Sequence, residues 1–167
     1  SQVTAAANFS QNQSKHEENV ASVAGKMDNR VIAAYQQLGF KLVVDPSVNY
    51  SGYFDARSRS ITMKQIDDSV YHELGHFLAF IAGNADKTAS FQSIFAAEKA
   101  NVTAFNKAYV TQNASEYFAE SVKDYILNNA SLKSSRPQTY AAVQNALNQI
   151  TDAQIAKIQK IYGAFWN

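Results

Sequence analysis

The chain has 167 residues, of which 46% are hydrophobic, enough for one domain with a real core. A net charge of +1 gives no reason to expect nucleic acid or an anionic membrane as partner, and no apolar run reaches the roughly 18 residues of a membrane span. With no cysteine, disulfides, thiol nucleophiles and cysteine-held zinc are all excluded. Residues 1 to about 14 are small and polar and read as a flexible start to a single domain over 1–167. The chain begins at Ser1, not methionine, which reads as a processed or truncated form. From Glu17 to Leu38, apolar residues Val20, Val23, Met27, Val31, Tyr35 and Leu38 recur at helical spacing, and Gly39 ends the pattern. His16, among Lys15, Glu17 and Glu18, reads as a solvated histidine in preference to a third metal ligand. Phe40 to Asp45 is a β-branched strand stopped by Pro46. Residues 52–64 predict a hairpin. Its second strand, Ser60 to Lys64, reads as an edge, either an ordinary one or one on which an extended peptide adds.

The next stretch, Val70-Tyr71-His72-Glu73-Leu74-Gly75-His76-Phe77-Leu78, carries the chemistry. Val70, Leu74, Phe77, Leu78 and Ile81 predict a helix with a core face. Asp67, Asp68 and Ser69 supply its start, and Gly83 with Asn84 its stop. His-Glu-x-x-His is the zinc-peptidase signature, and its spacing has a physical reason. Residues four apart stack on one helix face, so His72 and His76 can offer two imidazoles to one ion. Glu73 is turned about 100° from His72, beside the ion and not on it, where a base must sit to take a proton from water. No other charge occurs between Val70 and Gly83, so this glutamate is expensive unless it has a job.

Asn84 to Ser90 reads as a loop. Phe91, Ile94, Phe95, Val102 and Phe105 predict a second amphipathic helix, with Glu98 in a solvated position. A break over Tyr109 to Asn113 precedes a helix from Ala114 to about Leu127. Ser134 to Pro137 is a turn into a further helix through Val143, Leu147 and Ile150. Thr151-Asp152-Ala153-Gln154 is a capping box opening a last helix with Ile155, Ile158, Ile161, Tyr162 and Phe165 as core.

A catalytic zinc takes three protein ligands and keeps one position open. A histidine six residues beyond the motif is one source of the third, but the positions that pattern requires are Ala79 and Ala82. The other common source is a glutamate on a later helix. Glu116 and Glu120 are four apart and flanked by apolar residues. One can bind the ion while the other orients a ligand histidine.

Four segments then carry a resemblance: Tyr71 to His76, Ser90 to Phe95, Glu116 to Ser121, and Pro137 to Tyr140. Over about residues 70–140 the chain resembles the catalytic domain of the anthrax lethal factor family. Within that family it looks most like the small secreted Pro-Pro endopeptidases of Gram-positive bacteria. The resemblance implies an α+β, mostly helical, zincin-like fold, with a small N-terminal sheet, an active-site helix and a C-terminal helical part. It implies one Zn2+ per chain held by His72, His76 and Glu116, Glu73 as general base, and Tyr109, seven residues before the glutamate ligand, on the oxyanion. Glu120 is then left to position a ligand. The expected protein is a secreted, monomeric zinc endopeptidase of the His-Glu-x-x-His plus Glu type, acting on a protein or peptide. There are departures. Ser115 stands where proline-selective members carry a second acidic residue, and the segment before the motif is shorter. Two other classes compete: a zincin-like binding module without turnover, which the intact Glu73 argues against, and a metal-free helical domain, which stoichiometric zinc would exclude.

Overall fold

The computed structural model describes residues 14–166, so the expectation for the first residues lies almost wholly outside the described ones. The predicted helix over Glu17–Leu38 is instead a strand and two helices: β1 (His16–Glu18), α1 (Val20–Val23) and α2 (Asn29–Gln37). The apolar spacing is real, since Val20, Met27, Val31, Tyr35 and Leu38 are all buried. Two local caps override helical continuity. Asn19 accepts from the backbone of Ala21, and Asp28, in an extended conformation, accepts from Arg30. Gly25 lies in the turn between them.

Three more strands follow: β2 (Lys41–Val44), β3 (Gly52–Asp55) and β4 (Ser60–Met63). The sheet order is β1-β2-β4-β3. β4 runs parallel to β2 and antiparallel to β3. The hairpin is as expected, but the edge is not. Strand β4 is interior, and the edge beside the motif helix is β3. Tyr35 ties the parallel pair together, its hydroxyl donating to the Lys41 carbonyl (2.6 Å) and accepting from Ile61 N–H (3.1 Å).

Helix α3 (Ser69–Ile81) runs through the middle of the molecule, against the sheet on one side and later helices on the other. Val70, Leu74, Phe77, Leu78 and Ile81 are at most 1% exposed. Each such side chain contributes about 1.5–3 kcal/mol of burial. Asp67 caps the helix start by accepting from Ser69, while Asp68 makes no cap bond. Gly83 (φ 74°) and Asn84 (φ 58°) reverse the chain after it in left-handed conformations. A single 3-10 turn (Ala85–Lys87) leads on to α4 (Ala89–Glu98).

The predicted second helix ends early, because Phe105 is fully exposed and Val102 follows a separate 3-10 turn (Lys99–Asn101). A short α5 (Lys107–Val110) occupies part of the expected break. Then come α6 (Ala114–Leu127), α7 (Asn129–Ser135), α8 (Pro137–Asn148) and α9 (Asp152–Trp166). Helix α7 was not expected from the sequence. At the capping box, Thr151 accepts from Gln154 N–H, but the Gln154 side chain donates to the Ile81 carbonyl and so satisfies the end of α3.

Glu98 corrects the expectation of a solvated residue. It is 5% exposed and accepts from Gln138 N–H, Thr139 N–H and the Thr139 hydroxyl at 2.7–3.1 Å. A carboxylate there satisfies and charges the N-terminus of α8, whose first residue is Pro137. The C-terminal helix holds the hairpin turn. Trp166 Nε1 donates to the Ala56 carbonyl (3.0 Å), and Arg59 donates to the carbonyls of Leu38 (3.1 Å) and Trp166 (3.2 Å).

Helices α3 and α6 meet at Gly75. A Cβ there would lie 2.7 Å from the Ala119 carbonyl oxygen and 2.8 Å from its Cα. In an open helix, Gly75→Ala would gain about 1 kcal/mol from propensity. Here it should cost about 1–3 kcal/mol through overpacking, read by urea unfolding. A stabilised variant would show that the helices do not need this approach.

Candidate active site

Two helices build the site. On α3, His72 and His76 stack one turn apart, with ring centroids 5.1 Å apart. On α6, Asn113 caps the first turn by accepting from Glu116 N–H (2.8 Å), which fixes the backbone that carries Glu116. The close approach at Gly75 then brings the two faces together. His72 Nε2 lies 2.9 Å from Glu116 Oε2, and His76 Nε2 lies 3.1 Å from Glu116 Oε1. One ligand atom from each of His72, His76 and Glu116 falls within 4.8 Å of the others.

Two neutral-capable imidazoles and a carboxylate converging on one point form the nitrogen and oxygen donor set that suits zinc. The surroundings fit as well. Glu120 Oε1 lies 3.5 Å from the other ring nitrogen of His72, where a carboxylate fixes the tautomer of a ligand histidine. Lys123 lies 3.7 Å from Glu120. The residues present therefore fit a single ion. His16 is not part of this group. It sits in β1, at the opposite edge of the sheet from β3, and pairs with Glu18 (2.9 Å).

Glu73 is 7% exposed and points to the same cleft from beside the histidines. Burial pushes its carboxyl up, and the two histidines only partly offset this. Edge strand β3 runs close beside it. That approach depends on Gly52, where a Cβ would lie 2.8 Å from Glu73 Cγ. Tyr109 lies on α5 with its ring 6.4 Å from that of His72, half exposed at the mouth of the cleft. Partial burial, reinforced by the charge of Glu116, pushes its phenol up to about 12, so it remains a hydrogen donor at neutral pH.

The cleft has two lobes that share Gly52, Glu73 and Tyr109. One, of about 330 Å³, runs past His76 and Glu116 toward Asn84 to Lys87. The other, of about 370 Å³, runs past His72 and Glu120 toward Tyr50 and Lys123. Strand β3 borders both. All six residues singled out in the sequence are thus in one place. Missed were Gly52, which reads only as a hairpin start, and Asn113, which reads only as part of a break.

The charged groups of the site shift one another. Burial alone would lower the His72 imidazolium, but hydrogen bonds to Glu116 and Glu120 outweigh it and push His72 up to about 9. Burial likewise works against the Glu116 carboxylate, and its bonds to His72 and His76 hold it well below the usual carboxylate range. A raised histidine must lose its proton before Nε2 can bind an ion, so protons compete with metal up to the raised value. Zinc affinity should therefore climb about tenfold per pH unit past the ordinary histidine range and level off near pH 9, measured against a chromophoric chelator. Affinity that is already flat above pH 7 would contradict the His72–Glu116 pairing.

A family match covers the part of the chain that carries this site. The family model described as "Anthrax toxin lethal factor, N- and C-terminal domain" matches residues 55–146, more than half of the chain and a span containing all six site residues. A Pro-Pro endopeptidase of Clostridioides difficile (strain 630) is 41% identical over 78 residues. That match covers 44% of this chain and 34% of the relative, so the chain accounts for about a third of that protein's length. With a match over more than half of its length, the chain belongs to the anthrax toxin lethal factor family.

Proposed function

We propose that the chain is a zinc-dependent endopeptidase with a zincin-like catalytic unit. The observation that carries this reading is the meeting of His72, His76 and Glu116 beside Glu73, in a cleft bordered by an open strand edge. A zinc ion bound there supplies a Lewis acid that polarises the scissile carbonyl and acidifies water. An extended substrate adds to β3, whose outer backbone groups have no strand partner among the described residues. Glu73 takes the proton of the attacking water and returns it to the leaving amine. Burial raises its proton affinity, which suits both steps. Tyr109 donates its hydroxyl hydrogen to the carbonyl oxygen as negative charge develops there. Glu120 holds His72 in the tautomer that frees Nε2 for the ion.

The relative named Pro-Pro endopeptidase supports peptide-bond hydrolysis as the activity. A secreted protein acting on an extracellular protein substrate is consistent with that relationship. Ser115, where proline-selective members carry an acid, gives this chain a different wall beside Glu116.

Glu73→Gln should retain stoichiometric zinc and lose about 10²–10⁴-fold in turnover of a cleavable peptide. Tyr109→Phe should keep zinc and lose about 10²–10³-fold in kcat. Metal analysis beside single-turnover assays reads both. Full activity of Glu73→Gln would rule out the general-base assignment.

A further inference from the structure

Four carboxylates among the described residues are buried: Glu73, Asp86, Glu98 and Glu120. Glu98 takes three donors and Glu120 has His72 and Lys123, while Glu73 faces the cleft between the two histidines as the candidate base. Asp86 is 6% exposed and forms no hydrogen bond or ion pair among the described residues. No fully enclosed side-chain oxygen or nitrogen among those residues lacks a partner, so the Asp86 carboxylate still meets solvent. Asp86 lines the 330 Å³ lobe of the cleft, and that is the solvent it meets. After the left-handed pair Gly83 and Asn84, both Asp86 and Lys87 border this lobe.

A carboxylate whose residue is 6% exposed and whose oxygens meet only the solvent of one lobe is a strong acceptor for a cation or donor brought into that lobe. Lys87 borders the same lobe but is exposed and makes no ion pair with Asp86. Phe54, Ala56 and Phe80 supply an apolar stretch of the same lobe, beside polar groups that include Asn84, Ser115 and the site residues Glu73, His76 and Glu116. An apolar wall leading to a carboxylate matches a side chain with a hydrocarbon stem and a charged head.

We propose that Asp86 makes this lobe a specificity subsite for a lysine or arginine side chain of the peptide substrate. This rests on the peptidase reading and adds the substrate class to it. The test is a library of N-acetylated, C-amidated peptides, varied one position at a time, with the zinc-loaded protein. At one position flanking the cleaved bond, lysine or arginine should exceed norleucine by about tenfold or more in kcat/KM, as a charge-assisted hydrogen bond allows. Asp86→Asn should reduce that lysine-to-norleucine ratio to about one, and Asp86→Lys should turn the preference toward aspartate and glutamate. A role confined to folding would leave the ratio unchanged. Calorimetry with Glu73→Gln protein gives a reading without turnover: the lysine peptide should bind tighter than its norleucine analogue, and the difference should vanish in Glu73→Gln/Asp86→Asn. Cleavage with equal use of lysine and norleucine overturns the subsite and leaves the peptidase standing. No cleavage of any peptide by the zinc-loaded protein overturns the peptidase, and the subsite with it.

Discussion

The contact between α3 and α6 at Gly75 is the constraint on which the rest depends. Side-chain packing between helices ordinarily keeps their axes 8–10 Å apart. At Gly75 the backbone of Ala119 takes the place that a side chain would fill. That approach lets one carboxylate on α6 reach two imidazoles on α3, and lets a second carboxylate, one turn along, reach the back of His72. The glycine inside the motif is therefore as much a part of the centre as the residues that carry charge.

A second polar cluster anchors the far side of α6 and keeps it from sliding. The Tyr117 hydroxyl and Thr139 share a 2.6 Å hydrogen bond next to Glu98. Arg136, only 5% exposed, bonds Asp124 and Ser121 and lies over the Tyr117 ring. Taking these groups out of water is costly, and the cost is met because each has partners with good geometry. The segment Pro137 to Tyr140 enters the resemblance to the family, and its physical role is in this anchor: Thr139 links α4, α6 and α8. One face of α6 thus faces the candidate metal centre while the other is pinned to the helical half.

The parts of this molecule that could be read from sequence were those fixed by short-range rules. The motif, its helix, its stop at Gly83 and the pairing of Glu116 with Glu120 follow from spacing of three and four residues. The hairpin follows from its apolar ends. The misreadings came where short-range patterns compete or where the answer lies far away in sequence. The apolar spacing of Val20 to Leu38 satisfies one long helix and two short ones equally, and the caps at Asn19 and Asp28 decided between them. The edge strand could not be identified from the hairpin alone, because β2 pairs with β4 and leaves β3 outside. Glu98 looked solvated because its partners at Gln138 and Thr139 are forty residues away. Asp86 shows only once the cleft exists.

Strand β3 has one further consequence. Among the described residues its outer backbone groups have no strand partner, and an extended segment can pair with them, including another copy of β3. Its four residues, opening on a glycine and closing on the turn that Trp166 and Arg59 hold, leave room for only a short partner. Brevity therefore does the protective work that a bulge or a charged edge does in other sheets. Lengthening this strand would strengthen the grip on extended chains and, to the same degree, promote fibrillar self-assembly.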